Sequence, residues 1–285
     1  MHPARIAKLL EPFLAASLAN DPVQPAPSEA KGSTVNDALY QHISTYIDIL
    51  LRWNARISLT AIRDPEEIVT RHFGESLFAA RHLFPKEAHS GDRERAALQG
   101  RVTRTEETGA LAPGSSANDQ RPGANDEVSA ADLGSGAGFP GIPIKLWAPP
   151  ISLTLIESNQ KKTAFLREVL RSLTLTNVNV FSGRAEQLLQ QRSQSDPAAK
   201  GLSTGANQQT LDQTRFDLVT LRAVEHFAAI LPVAASLVSP GGRLALLIGT
   251  SQLDHAQSTL PTLAWDPPIP VPQSQSRTLL IARVS

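Results

Sequence analysis

The sequence predicts an α/β protein, a doubly wound and mostly parallel sheet preceded by a helical N-terminal region. Two patterns carry that expectation. From about Val128 the chain repeats strand, glycine-rich turn and helix, the alternation that builds parallel sheets. Before residue 86, apolar side chains recur instead at helical spacing.

In the N-terminal region, Ile6, Leu9, Leu10, Phe13 and Leu14 form one helical stripe, and a proline-rich break runs from Asp21 to Pro27. Leu39, Ile43, Ile47, Leu50 and Leu51 form a second stripe. A third helix begins at Asp64-Pro65-Glu66-Glu67, which supplies an N-cap acid, a proline at the first helical position and a capping-box glutamate. Its apolar face is Ile68, Val69, Phe73, Leu77 and Phe78.

In the second half, strands are expected at 128–133, 152–157, 178–182, 216–221, 244–248 and 278–284, with helices at 158–173, 184–191 and 223–238. Two polar stretches without apolar periodicity read as insertions, a flexible acidic one at 87–127 and a Gln/Ser-rich one at 191–214. The expected division is a helical region at 1–86, the first insertion, and a ligand-binding domain at 128–285 that contains the second.

The formal net charge is zero, which argues at first against a nucleic-acid partner. That average is distorted by residues 87–130, which hold eight acids and five arginines. The remainder has 22 basic and 19 acidic residues, a mildly basic balance compatible with RNA. Cysteine is absent, which excludes disulfides, zinc-thiolate sites and thiol nucleophiles. A methyltransferase with this composition would not use the cysteine addition that methylation of pyrimidine C5 normally needs. No apolar run approaches membrane-spanning length and Met1-His-Pro-Ala-Arg5 lacks a signal core, so a cytoplasmic protein is expected.

The segment Ala131-Asp-Leu-Gly-Ser-Gly-Ala-Gly-Phe-Pro-Gly141 follows the first strand and reads as a turn that offers backbone to a ligand. Gly134, Gly136 and Gly138 have no Cβ, so a ligand can approach their amides, and a following helix N-terminus adds donors. A dinucleotide and S-adenosylmethionine both fit. Gly136 to Gly141 even satisfies the dinucleotide spacing, and a purely structural tight turn has the same local pattern. Glu157, at the end of the second strand, would face ribose hydroxyls in either case. Further on, Phe181-Ser-Gly-Arg-Ala-Glu186 places a small residue and an acid where an adenine would lie over the sheet edge. That suits S-adenosylmethionine, with Glu186 accepting from the adenine amino group and Ala185 leaving room for the ring. A solvated acid at a helix start is the plainer reading of Glu186.

Taken with Leu155-Ile-Glu-Ser-Asn-Gln-Lys-Lys162, Phe165-Leu-Arg167, Leu221-Arg-Ala-Val224 and Pro240-Gly-Gly-Arg-Leu244, these motifs resemble ribosomal RNA small subunit methyltransferase G, the glucose-inhibited division protein B family. Trp53-Asn54, Leu59-Thr-Ala-Ile-Arg-Asp-Pro-Glu-Glu67, Arg71-His72 and Glu75-Ser-Leu77 resemble that family's helical prologue. The resemblance covers about residues 39–86 and 128–250. It departs at Ser58 and Glu75, where the family usually has Asn and Asp, and at Leu247-Ile-Gly-Thr250, where a lysine is common.

The resemblance implies a Rossmann-like class I methyltransferase with a seven-stranded sheet. It also implies methyl transfer from S-adenosyl-L-methionine to N7 of a guanine in 16S rRNA. The cofactor would be held by Gly134, Gly136, Gly138, Phe139, Glu157, Ala185, Glu186 and Arg222. The partner would be 16S rRNA or a precursor of the small ribosomal subunit, met by a monomer, with no metal.

Guanine N7 carries a free lone pair at neutral pH, so no general base is required and no catalytic acid–base pair is assigned. Arg222, at the carboxyl end of the fourth strand, is the best-placed cation to orient the base. Its replacement by alanine is expected to reduce methylation far more than folding stability. Arg71 and His72 are the candidate RNA contacts, although a histidine beside an apolar stripe is more often structural. Lys161, Arg167 and Arg171 share a helix face that is either solvated or phosphate-binding. The rivals are an NAD-dependent oxidoreductase, an adenine-N6 or cytosine-N4 methyltransferase, and a non-catalytic RNA-binding protein with this fold. Asp266-Pro-Pro-Ile269 lies after the fifth strand and lacks an aromatic, so it does not supply the acidic motif of the amino-group methyltransferases.

Overall fold

A computed structural model describes residues 1–15, 33–85, 127–195, 215–222 and 227–284. The Asp21–Pro27 break, the first insertion up to 126, residues 196–214 of the second, and Ala223-Val224 lie outside the described residues.

Among the described residues, eight strands form one sheet: β1 (Ser129–Leu133), β2 (Ser152–Glu157), β3 (Val178–Ser182), β4 (Phe216–Arg222), β5 (Val238–Gly249), β6 (Ala264–Trp265), β7 (Ile269–Pro270) and β8 (Arg277–Arg283). Their order is β3-β2-β1-β4-β5-β8-β6, with β7 also on β8. The first five pair in parallel and β8 runs antiparallel to β5. The seven expected positions are present, and the edge position is shared by β6 and β7. Ala264 faces Arg283, Ile269 faces Leu279, and the Asp266 amide still donates to the Ile281 carbonyl. The ladder then breaks at Pro267-Pro268, because proline has no amide hydrogen to contribute. The same prolines hid this edge strand from the sequence pattern.

Alternation along the strands divides the core. Ala130, Leu153, Leu155, Leu218, Ala245 and Leu279 face one side, and Ala131, Ile156, Val219, Leu244 and Leu280 face the other. The first side is covered by α1 (Pro3–Leu14), α2 (Ser33–Asn54), a composite helix α3 (65–83), α4 (Gly141–Trp147) and α5 (Gln160–Ser172). The second is covered by α6 (Ala185–Ser195), α7 (Phe227–Ser236) and α8 (Leu253–Thr259). The N-terminal helices therefore share one apolar cluster with the sheet, and each large side chain buried there contributes roughly 1.5–3 kcal/mol. Two polar ties cross the same boundary, from Trp53 Nε1 to Glu168 at 2.9 Å and from Trp147 Nε1 to the Phe84 carbonyl at 2.9 Å.

Helix α3 joins a first turn (Pro65–Glu67), a π-helical stretch (Ile68–Gly74) and an α-helix (Glu75–Leu83). Its start has the N-cap acid and the proline that the sequence encodes, with Asp64 accepting from the Glu67 amide at 2.8 Å, but the Glu67 side chain makes no return bond to complete the capping box among the described residues. The Glu67 carboxylate lies 3.6 Å from Arg71 on the next turn. Gly74 is required because a Cβ there would overlap the Phe13 ring, so the glycine lets α1 lie against α3.

Candidate functional site

The glycine turn leaves β1 with positive φ at Gly134 (66°), Gly136 (55°) and Gly138 (84°), backbone that L side chains rarely adopt. It is fastened from below by Asp132, which is fully buried and accepts from Thr220 Oγ1 at 2.9 Å and from the Gly141 amide at 3.2 Å. Burial pushes the Asp132 carboxyl up to about 7, while the bonds from Thr220 and Gly141 act in the opposite direction. The two sides of the turn differ. A Cβ on Gly138 would overlap the Tyr46 hydroxyl and Ile142, whereas a Cβ on Gly136 would meet only the Gly134 carbonyl, at 3.7 Å. Tyr46, entirely buried, donates to the Ala137 carbonyl and stacks on Phe139 with centroids 5.4 Å apart. Gly138 thus belongs to the packed side, and Gly136 presents bare backbone to open space.

Glu157 is 7% exposed and accepts from the Gly136 amide at 2.9 Å and the Asn159 amide at 2.7 Å. A carboxylate has about four acceptor positions, so these two bonds leave capacity for a further donor. The Gly183 amide donates to the Glu157 carbonyl at 3.0 Å, which brings the end of β3 beside the end of β2. Ala185 is buried at the start of α6 and Glu186 is exposed next to it.

The carboxyl end of β4 carries Arg222, whose guanidinium is almost wholly enclosed. Nη2 donates to Glu75 Oε2 at 2.9 Å and to the Arg71 carbonyl at 2.6 Å, and Nη1 lies 3.0 Å from His72 Nδ1. Nε is buried without a partner among the described residues. Burial lowers the affinity of this guanidinium for its proton, and the Glu75 carboxylate works against that effect. His72 Nε2 lies 2.7 Å from Thr60 Oγ1, and its ring stacks on Phe139 at 4.8 Å. Burial, followed by the charges of Arg222, Arg71 and Arg277, pulls the imidazole down to about 3. His72 is therefore neutral at physiological pH.

Thr60 is held in turn by Asn54, which accepts from the Leu59 and Thr60 amides at 2.9 and 3.1 Å and donates to the Thr60 carbonyl at 2.9 Å. The Trp53-Asn54 and Leu59-Thr-Ala61 motifs are one hydrogen-bonded loop that reaches Arg222 through His72.

The predicted residues thus fall into three places. Gly134, Gly136 and Gly138 are joined to Glu157. Phe139, His72 and Arg222 stack together at the end of the turn. Ala185 and Glu186 stand at the end of β3. Arg71 is half exposed, 3.6 Å from Glu67 and 3.9 Å from Glu75. Glu75, Asp132, Thr60 and Tyr46 were not singled out as site residues. An acid at position 75, where the resembling family also has one, was the available signal for the partner of Arg222. That partnership corrects one expectation, because Arg222 is a buried ion-pair member and its loss will cost folding stability.

The strand order, with an antiparallel strand between β5 and the edge, and a glycine turn after β1 facing an acid at the end of β2, define a Rossmann-like class I methyltransferase fold. The chain belongs to the family described as rRNA small subunit methyltransferase G, which it matches over residues 39–90 and 120–265. A protein of Xanthomonas axonopodis pv. citri (strain 306) named ribosomal RNA small subunit methyltransferase G is 34% identical over 204 residues, covering 72% of this chain and 66% of that one. One of the same name from Stenotrophomonas maltophilia (strain K279a) is 34% identical over 212 residues, covering 74% and 70%. The chain thus spans about two thirds of the length of these relatives. Among solved structures, the Methanococcus jannaschii fibrillarin pre-rRNA processing protein aligns with a TM-score of 0.42 and 12% identity over 55% of this chain and 66% of that one, too distant to bear on function.

Proposed function

We propose that this chain methylates N7 of a guanine in 16S rRNA of the small ribosomal subunit, with S-adenosyl-L-methionine as methyl donor. The observation that carries the reading is family membership over most of the chain, including every residue of the glycine turn. The site fits the donor molecule. Gly136 offers bare backbone on an open side, Glu157 retains acceptor capacity for ribose hydroxyls, and Ala185 beside Glu186 suits an adenine.

When bound, S-adenosylmethionine supplies a methyl group on a positively charged sulfur. That methyl would be the group delivered to the guanine N7 lone pair, with the sulfur leaving as a neutral thioether. No proton moves, so the residues of the site bind and align rather than act as acid or base. The open face of the turn at Gly136, where no side chain intervenes, would receive the methionine end of the donor molecule. Arg222, fixed by Glu75, His72 and the Arg71 carbonyl, sets the electrostatics at the end of β4 and orients the base. Arg71, more exposed, contacts the RNA, and His72 serves the RNA side through the orientation of Arg222.

The reading carries with it a cytoplasmic monomer acting on 16S rRNA or a small-subunit precursor. Among the described residues, no helix is long and apolar enough to cross a membrane. The test is methylation of small-subunit rRNA in vitro with labelled S-adenosylmethionine, followed by mapping of the modified base. Label on a guanine N7 of 16S rRNA is expected. No incorporation into naked RNA or subunits, or binding of NADH in preference to S-adenosylhomocysteine, would overturn it.

A further inference from the structure

A cavity of about 300 Å³ lies between α3 and the turn that precedes β8, lined by Phe13, Thr70, Arg71, Glu75 and residues 272–276. Its place in the fold is informative. β8 begins at Arg277 opposite Gly249, the last residue of β5, so the turn projects from the carboxyl edge of the sheet. Arg222 ends β4 at the same edge, and the glycine turn leaves β1 there. The cleft is joined to the site through two of its lining residues, since the Glu75 carboxylate and the Arg71 carbonyl both accept from Arg222, which lies against Phe139.

Its far wall is a constructed rim. The Val271 amide donates to the Arg277 carbonyl at 3.0 Å, the Arg277 amide to Ser274 Oγ at 3.1 Å, and the Thr250 amide to the Ser276 carbonyl at 2.8 Å. The chain passes through a left-handed residue at Gln273, with φ 57°. The side-chain amides of Gln273 and Gln275 make no hydrogen bond to another described residue, and each offers a donor and an acceptor.

The near wall is charged. Arg71 stands 3.6 and 3.9 Å from its two carboxylates, beyond hydrogen-bonding range, so its planar set of donors remains available. Glu75 commits Oε2 to Arg222 and leaves Oε1, 3.9 Å from Arg71, as an acceptor. Phe13 and Pro272 supply apolar surface. A guanidinium fork, a carboxylate oxygen and two amides around an apolar floor complement a flat ring with donors and acceptors on its edge. A cavity this size is at the small end for ligand sites, which suits one nucleoside and not a longer segment.

Building on the proposed action on RNA, we infer that this cleft binds one nucleobase of the substrate RNA, a neighbour of the base that reacts. Its preferred occupant presents a carbonyl oxygen to Arg71 and a ring N–H to Glu75, the pattern of guanine and uracil. Sequence-reading proteins commonly splay single-stranded RNA bases into such pockets and read their edges. The cleft supplies sequence context that the glycine turn, which handles the methyl donor, does not.

The test uses the full chain saturated with S-adenosylhomocysteine. Binding of GMP, UMP, AMP and CMP is measured by calorimetry for the wild type and for Gln275→Trp, which fills the cleft. The KM for small-subunit rRNA is measured in parallel with S-adenosylmethionine. Expected results are binding of GMP or UMP at least tenfold tighter than AMP and CMP, lost in Gln275→Trp, and a KM for rRNA raised at least tenfold. The affinity for S-adenosylhomocysteine should change less than twofold. If Gln275→Trp does not fold, Gln275→Glu adds a second carboxylate to the lining of the cleft and should weaken GMP or UMP binding at least fivefold. Equal affinity for all four monophosphates, or a filled cleft with unchanged nucleotide binding and unchanged KM, overturns the inference. Absence of rRNA methylation by the wild type overturns the proposed function instead, and the monophosphate comparison still decides the cleft.

Discussion

Nη1 of Arg222 lies 3.0 Å from Nδ1 of His72, and because a guanidinium can only donate, the imidazole accepts there and directs its own proton at Thr60. A neutral histidine is thus part of the support of Arg222. In the folded chain it titrates near 3, against about 6.5 when unfolded. The depressed value means the unfolded chain takes up the proton first as pH falls. The stability that depends on neutral His72 is therefore complete above about pH 6.5 and is lost as pH drops toward 3, by roughly 5 kcal/mol in total. His72→Asn keeps an acceptor facing Arg222 and does not titrate. Urea unfolding at pH 7 and pH 4.5 should show a pH-linked loss about 2 kcal/mol smaller in the variant. Equal losses in the two proteins would remove neutral His72 from the account.

Arg222→Ala should be costly in two ways. It leaves the buried Glu75 carboxylate with only the longer 3.9 Å pairing to Arg71, which destabilises by up to about 3–5 kcal/mol. Arg222→Met combined with Glu75→Leu removes both charges and should recover most of that loss in a urea melt while methylation stays at least a hundredfold down. If the double variant methylates at the wild-type rate, Arg222 has no role in the reaction.

Two neighbouring glycines should respond differently to alanine. Gly138→Ala adds a left-handed strain and an overlap with Tyr46 and Ile142, and should destabilise by about 3 kcal/mol or more. Gly136→Ala meets no packed atom and should cost about 1 kcal/mol. Its methyl group enters the open side of the turn, so affinity for S-adenosylhomocysteine should fall at least tenfold by calorimetry. A Gly136→Ala protein with wild-type affinity would mean that the cofactor does not lie against that face.

Asn54→Ala strips partners from the Leu59 and Thr60 amides and the Thr60 carbonyl, at a cost of about 2–4 kcal/mol. The released loop should become a site of early proteolysis near residues 55–63, and methylation should fall as Thr60 loses its hold on His72. A loop as resistant as in the wild type would show that Asn54 is not its anchor.

Local chemistry was the part of this molecule that the sequence made legible. The Asp64-Pro65 cap, the glycine turn and the ends of β2 and β3 each depend on residues within a few positions of one another, and each stands where the pattern puts it. Long-range relationships were not readable. The Tyr46 hydroxyl meets the Ala137 carbonyl 91 residues away, and Glu75 meets Arg222 147 residues away. Neither local segment fixes the distance between them, although an acid at position 75 hints at a cationic partner. The π-helical stretch Ile68–Gly74 carries the same apolar spacing as an α-helix, so periodicity shows a helix and not its winding. Short elements also escaped. Helices α4 and α8 have seven residues each, too few for a stripe to stand out, and β5 begins at Val238 because Pro240-Gly-Gly242 is carried inside a strand.

The proline break between β6 and β7 has a consequence for how molecules of this protein meet. An open sheet margin ordinarily offers a row of unused amides and carbonyls onto which a second polypeptide can zip. Here Pro267 and Pro268 remove two donors in succession from the middle of a margin that has only two-residue ladders on either side. In a crowded solution or during refolding, that border of the sheet is a poor template for strand-by-strand growth into aggregates.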